Sequence, residues 1–299
     1  MNILKSLVQR AYLKFTAQRW NVGFIKEDIE SILSGKPIHL KICQHEYNDR
    51  WFADPFILDV NDDYIYLLVE ELYNKWGKGR ITKLSVNRHT NHIDLVEPIL
   101  QLDSHLSFPA ILRTGGDIIQ IYPENAKGYG LALYEYDQRS NNLEFIKVIS
   151  QKPLADAIIT GVLGETKMFA TEVPTHNGNV LNQYSIEEND IVMNGQICFS
   201  SNIARNAGDW FKHNGKVYRP AQDCNECYGA AVILQEVVKE NEQLTFHDVR
   251  RIKSTSWKYI TGLHTFNHYK GITVIDVHGY RNPVLGWLFK TLTPKWLLK

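Results

Sequence analysis

The chain has 299 residues with 44% apolar and 11% aromatic side chains, enough for one large core or two ordinary ones and too apolar for a disordered chain. Lys plus Arg number 33 and Asp plus Glu 33, so the basic surplus that a general nucleic-acid binder uses to displace counterions is missing. Four cysteines make no disulfide framework, and Cys224 and Cys227, in C-N-E-C, have no second pair at zinc spacing.

Residues 1–19 predict an amphipathic helix. Leu7, Val8, Ala11, Tyr12 and Phe15 continue an i, i+3, i+4 stripe from Leu4, with Lys5, Arg10, Lys14 and Arg19 largely outside it. Lys5, Gln9 and Arg10 interrupt any secretory apolar stretch, and no segment reaches the roughly 18–20 uninterrupted apolar residues of a membrane span. The expected location is cytoplasmic. Residues 284–299 again mix Trp, Leu and Phe with Lys. Two basic amphipathic ends suit peripheral contact with the inner membrane face, and equally a cap or an oligomer contact.

Residues 20–283 read differently. Short alternating segments rich in Ile, Val, Tyr and Phe are separated by polar turns such as V-N-D-D, R-T-G-G-D and K-H-N-G-K, the pattern of strands and hairpins. An apolar entry recurs as Ala53-Asp54-Pro55-Phe56, Ser107-Phe108-Pro109-Ala110 and Ala155-Asp156-Ala157-Ile158, with weaker copies at Gly208-Asp209-Trp210 and Gly262-Leu263-His264. The interval is roughly 50 residues, and a second strand ending on an acid follows each entry: Glu70-Glu71, Glu124, Glu172, Asp223 and Asp276. Five such units predict an all-β five-bladed β-propeller over residues 20–283, with short helical N- and C-terminal extensions. Residues 20–40 are expected to supply an outer strand or helix where the ring closes. In a propeller, equivalent residues of all blades converge on one axial funnel.

These residues resemble a known family. Ala53-Asp54-Pro55-Phe56 followed by Glu70-Glu71 looks like the first blade of the family 43 glycoside hydrolases. F-A-D-P-F, H-L-S-F-P-A-I-L, I-Y-P-E-N, L-A-D-A-I-I-T, N-G-K-V-Y-R-P-A-Q-D-C-N-E-C-Y-G and G-L-H-T-F-N, over residues 50–280, more closely resemble the propeller at the N-terminus of plant glucosamine inositolphosphorylceramide transferases and its bacterial relatives. The plant proteins carry a separate transferase domain after the propeller.

The resemblance to the hydrolases implies three axial carboxyls: a base, an orienting group and an acid. By position Asp54 matches the base and Asp156 the orienting group. Asp223 is the first choice for the acid, with Glu172 and Glu124 as competitors, although the family normally has Glu there. Arg219 is a candidate clamp for a substrate carboxylate or phosphate, or an ion-pair partner of a channel acid. His105 is placed to bond a sugar hydroxyl or carry a proton. The resemblance makes His264 a candidate to help hold an axial metal ion and its waters. Trp51, Phe52, Phe108, Trp210 and Tyr228 are candidate sugar platforms, at least three of which should only pack between blades.

The expected function is a carbohydrate-active enzyme that makes or breaks a glycosidic bond, with glycosyl transfer in cell-surface glycan synthesis favoured. The alternatives are a family 43 type hydrolase and a non-catalytic glycan-binding propeller. Expected ligands are a sugar, an oligosaccharide or a nucleotide sugar.

Overall fold

The computed structural model describes residues 2–113, 115–128, 130–187, 190–241 and 243–294. The chain opens with α1 (Asn2–Phe15), β1 (Gln18–Ile25), the short α2 (Ile29–Leu33) and β2 (Leu40–Ile42). Blade 1 is β3 (Arg50–Val60), β4 (Tyr64–Tyr73), β5 (Gly79–Asn87) and β6 (Ile93–Leu100). Blade 2 is β7 (Ser107–Arg113), β8 (Ile118–Glu124), β9 (Leu131–Asp137) and β10 (Asn142–Ser150). Blade 3 is β11 (Leu154–Thr160), β12 (Lys167–Glu172), β13 (Val180–Ile186) and β14 (Ile191–Cys198). Blade 4 is β15 (Phe211–His213), β16 (Lys216–Asp223), β17 (Ala231–Glu240) and β18 (Gln243–Ile252). Blade 5 has β19 (Phe266–Tyr269) and β20 (Ile272–Tyr280) inside, and α3 (Pro283–Leu292) follows it.

Blade 5 is completed from the other end of the chain. Its strand order is β19-β20-β1-β2, and β1 pairs with β20 from Gln18 opposite Tyr280 to Ile25 opposite Thr273. Residues 20–40 thus close the ring with strands, as expected. The terminal helix stops at Phe15, because Gln18 and Arg19 belong to this pairing. The molecule is the five-bladed propeller that the repeat predicts.

Burial explains the strand types. The innermost strand β11 is buried along its whole length, covered on both faces by neighbouring blades. Outer strands such as β14 and β18 alternate toward solvent. Aromatic rings fill the wedges between blades. Phe56 meets Phe108 edge-on at 5.0 Å between blades 1 and 2, and Phe169 stacks on Trp210 at 4.3 Å between blades 3 and 4. Phe52, Phe108 and Trp210 are buried packing residues, whereas Tyr228 is exposed.

The recurrent entry is a backbone device. Asp54, Phe108 and Asp156 have φ of 50°, 42° and 46°, and strand pairing slips next to each of them. Each is a bulge that bends the innermost strand at the axis. The left-handed region is unfavourable for residues with a Cβ and is tolerated best by Asp and Asn. At blade 4 the irregularity falls on Gly208 (φ 154°) instead.

At the termini, α1 and α3 lie together, with Phe15 stacked on Phe289 at 4.9 Å. Residues 295–299 of the C-terminal segment, with Trp296 among them, lie outside the described residues. The four cysteines are free thiols.

Candidate functional site

The bulges carry their carboxylates to the axis, where most hold neighbouring blades together. Asp276 of blade 5 accepts the backbone N–H of Asp54 at 3.2 Å and those of His264 and Thr265 at 2.9 Å each. Asp54 of blade 1 accepts the Phe108 N–H of blade 2 at 3.0 Å and the Thr265 hydroxyl of blade 5 at 3.0 Å. Glu124 of blade 2 accepts the Asp156 N–H of blade 3 at 2.9 Å. Asp156 is bound by Arg205, ahead of β15, and accepts the Gln222 side-chain amide of blade 4 at 2.7 Å. Four successive blade junctions are therefore bridged by an axial carboxylate. Backbone N–H groups left unpaired by the bulges find acceptors this way.

Above this ring opens an axial pocket of about 340 Å³, lined by Asp54, Glu70, His105, Glu124, Arg205 and Tyr228 among others. Glu70 faces the pocket, while its neighbour Glu71 is fully buried and bonded to Arg50, Arg80 and Thr82. Glu70 meets His105 Nε2 at 3.2 Å, and His105 Nδ1 accepts the Gly79 N–H at 2.9 Å. That second bond makes Nε2 the protonated nitrogen. The bond to Glu70 raises the His105 pKa. A Cβ at Gly79 would collide with the Leu106 carbonyl and Glu70, so this approach requires glycine. His176 lines the rim with a buried, unpartnered Nδ1.

Two pocket carboxyls are displaced toward neutrality. Burial, reinforced by Asp156 and opposed by Arg205, pushes Glu124 up to about 8. Burial pushes Asp54 up to about 7, with Glu70 and Asp276 adding and His264 opposing. Tyr228 presents its ring beside two cations: the Arg205 guanidinium lies 5.0 Å from its centroid, and the His264 ring meets it edge-on at 5.3 Å.

Of the residues expected at the site, Asp54, Glu124, His105 and Tyr228 line one pocket. Asp156 sits just beneath it, 2% exposed and occupied by Arg205 and Gln222. Asp223 is not brought to the cluster. Its carboxylate turns outward to Arg251 on β18 at 2.6 Å and to Asn225 at 2.7 Å. Burial alone would raise its pKa, but these hydrogen bonds lower it, which suits an ion-pair partner and not an acid. Glu172 is also elsewhere, accepting the Tyr184 hydroxyl at 2.7 Å within blade 3. Arg219 is no clamp. It is fully buried and donates to the carbonyls of Ile203 and Ala204, to Asn206 Oδ1 at 3.0 Å and to Gln235 Oε1 at 2.7 Å.

His264 lies at the axis but is bound as a cation. Its Nδ1 is 2.6 Å from Asp276 and 3.6 Å from Asp54, and its ring stacks on Trp20 at 3.9 Å. Burial would lower its pKa, but Asp276 and Asp54 outweigh burial and raise it to about 9. Asp54, His264 and Asp276 form the one cluster of metal-ligand type among the described residues. It does not fit an ion. Donors held at about 2.3–2.6 Å from a cation stand roughly 3 Å or more apart, and the His264–Asp276 contact is a hydrogen bond. Both Asp276 oxygens already accept two hydrogen bonds each.

Sequence reasoning did not assign Glu70, Arg205 or Asp276 to the site. Asp276 lies on the second strand of its unit, where the sequence repeat places an acid as it does at Glu124, so the repeat itself contained the signal. Arg205, three residues before the expected blade 4 entry at Gly208, carried none.

Residues 39–271 match the family model described as glucosamine inositolphosphorylceramide transferase 1, N-terminal. The rice (Oryza sativa subsp. indica) glucosamine inositolphosphorylceramide transferase 1 is 29% identical over 209 residues, covering 64% of this chain and 27% of the rice protein. The chain thus spans about a quarter of the length of the curated relatives it matches. A glycoside hydrolase candidate from Bacteroides ovatus superposes with a TM-score of 0.52 at 10% identity, covering 85% of this chain and 96% of that one. A family 43 enzyme from Xanthomonas citri, complexed with xylose, gives 0.49 at 8% identity over 91% and 92%. These structural likenesses are of fold. The extent of the sequence match goes further, and this chain belongs to the family of the N-terminal region of glucosamine inositolphosphorylceramide transferase 1.

Proposed function

We propose that the axial pocket binds a sugar and that the chain makes a glycosidic bond there. The observation that carries this reading is the pair Asp54 and Glu124: two carboxyls displaced toward neutrality by burial, opening on one polar pocket of about 340 Å³. A general base and a general acid work best with pKa values near the working pH. Asp54 takes the proton of the acceptor hydroxyl as its oxygen forms the bond to the anomeric carbon. Protonated Glu124 supports the leaving oxygen as its bond to that carbon breaks. Lys127 and Arg205, both lining the pocket, face the negative charge of a departing phosphate, the role that sequence assigned to Arg219. Tyr228 offers an exposed ring to the apolar face of a sugar. The resemblance to a named transferase family supports transfer over hydrolysis. In this reading the chain works in the cytoplasm, where nucleotide-sugar donors are available.

A second reading has its own observation. Asp54, Asp156, Glu124 and Asp276 all accept hydrogen bonds that join blades, so their conformations serve the fold before any chemistry. A glycan-binding propeller that presents an acceptor to a partner enzyme would need only the pocket, His105 and Tyr228.

The test incubates the chain with a panel of nucleotide sugars and oligosaccharides and reads products by mass spectrometry and binding by calorimetry. Transfer products lost in Glu124→Gln, with binding kept, support the enzyme. Free sugar released to water indicates a hydrolase. Binding without turnover, unaffected by Glu124→Gln, indicates the binding module, and no binding by either ligand class removes all three.

A further inference from the structure

A second cavity, of about 500 Å³, lies at the ring-closure seam and shares no lining residue with the axial pocket. Arg19, Lys258 and Arg281 line it together with Tyr47, Trp257 and Tyr280, and none of its described lining residues is Asp or Glu. None of the three cations forms a salt bridge with a described residue; Arg19 donates to the Asn48 carbonyl at 2.8 Å. Burial and then the neighbouring Arg281 lower the Arg19 pKa against the opposing pull of Tyr259 and Asp49, and a bound anion would relieve the repulsion between the two guanidinium groups.

The cavity adjoins the terminal helices. Arg281 precedes α3, and its N–H donates to the Ala17 carbonyl just after α1 at 2.8 Å. The helix pair leaves large apolar side chains in solvent: Leu7, Leu13, Val284, Trp287 and Leu292 are each 56–70% exposed, and Trp257 on the cavity wall is 71% exposed. Charge is segregated as well. Residues 1–19 and 281–299 contain eight Lys and Arg and no Asp or Glu, in a chain whose formal net charge is zero. No helix among the described residues is long and apolar enough to cross a membrane.

We propose that this corner docks on an anionic membrane surface. The α1–α3 pair lays its leucines and Trp287 into the interface, and the Arg19, Lys258 and Arg281 cavity receives the phosphate of a lipid headgroup. Neither feature alone selects this occupant. Apolar exposure, beside a cavity whose described lining carries three cations and no carboxylate, matches a surface that is apolar below and anionic above. The proposal stands independently of the chemistry in the axial pocket.

The experiment is flotation of the full chain with vesicles of phosphatidylcholine alone, or with a one-third share of phosphatidylglycerol, over a salt series. Binding is expected to the anionic vesicles only and to weaken with salt. The double variant Lys258→Glu, Arg281→Glu should bind at least about tenfold more weakly, as should Trp287→Ser, because a cation near such a surface contributes roughly fivefold in partitioning. All three residues are exposed, so an unchanged melting profile should accompany both losses. Equal binding to neutral vesicles, absence of vesicle binding, or full binding by the charge-reversed variant overturns the proposal. So does inorganic phosphate binding in the cavity without vesicle binding, which would mark a site for a soluble phosphate compound. A dimer that Trp287→Ser dissociates, again without vesicle binding, would assign the face to a second copy.

Discussion

The Asp276 carboxylate accepts the backbone N–H of Asp54 at 3.2 Å across 222 residues of sequence. This bond joins the last blade to the first at the axis, where the bulge at Asp54 has released its N–H from the ladder. The same carboxylate holds His264 as a cation at 2.6 Å. One side chain therefore closes the ring and fixes the charge state of the pocket floor.

Asp276→Asn should cost stability and uncouple the histidine. Leaving a buried cation without its partner costs about 3–5 kcal/mol. Urea unfolding should register that loss. In the folded fraction, the His264 imidazole followed by NMR should titrate well below its wild-type value of about 9. An unchanged titration would mean that Asp276 does not set the charge.

Glu124→Gln separates chemistry from architecture. The amide oxygen can still accept the Asp156 N–H, so stability should change little. If Glu124 is the acid, turnover should fall by roughly 10²–10⁴ with binding retained. Wild-type activity should decline as pH rises through about 8, where Glu124 loses its proton, and as pH falls through about 7, where Asp54 gains one. An alkaline limb that survives in the variant would assign it to another group.

Arg219→Met tests a structural role. The substitution removes the donor from two backbone carbonyls and from the side chains of Asn206 and Gln235, all within blade 4 and its entry. A destabilisation of about 3 kcal/mol or more is expected from such buried orphan groups. Ligand affinity of the folded variant should match wild type; a selective loss of affinity would restore Arg219 as a clamp.

Stability should fall on the alkaline side. Asp54, Glu124 and His264 each bind their proton more tightly in the folded state than in the unfolded one. Each contribution is complete below the unfolded pKa and gone above the folded value. The windows close at about 7 for Asp54, about 8 for Glu124 and about 9 for His264. The unfolding free energy from urea titration should therefore drop from pH 6.5 to 9, by up to about 1.4 kcal/mol per pH unit for each group still titrating. A flat profile would contradict the raised values.

Tyr228→Ala should weaken sugar binding about tenfold, in line with the roughly 1–3 kcal/mol that a stacked ring contributes to a ligand face. Because the ring is 45% exposed, unfolding should be almost unaffected. Calorimetry and thermal melting on the same sample separate the two effects.

Much of this molecule was legible before its coordinates. The interval of the apolar entries predicted five blades, and the basic amphipathic ends predicted terminal helices. Asp54 and Asp156 occupy equivalent places in the repeat, and both adopt the same left-handed bulge. These features are local or periodic, and sequence displays both directly. The roles of the acids were not local. Asp156 is held by Arg205, 49 residues away, and Asp223 by Arg251 on the outermost strand, 28 residues away. Along a strand, successive side chains face opposite sides, so one slip in register decides whether an acid meets the funnel or a neighbouring sheet. Glu70 and Glu71 are adjacent in sequence, and only one of them lines the pocket. Sequence alone determined the number of blades and the equivalence of the Asp54, Phe108 and Asp156 entries that bulge at the axis. Only the tertiary structure decided which carboxylates remain free for a ligand, because each is claimed by hydrogen-bond donors from distant parts of the chain.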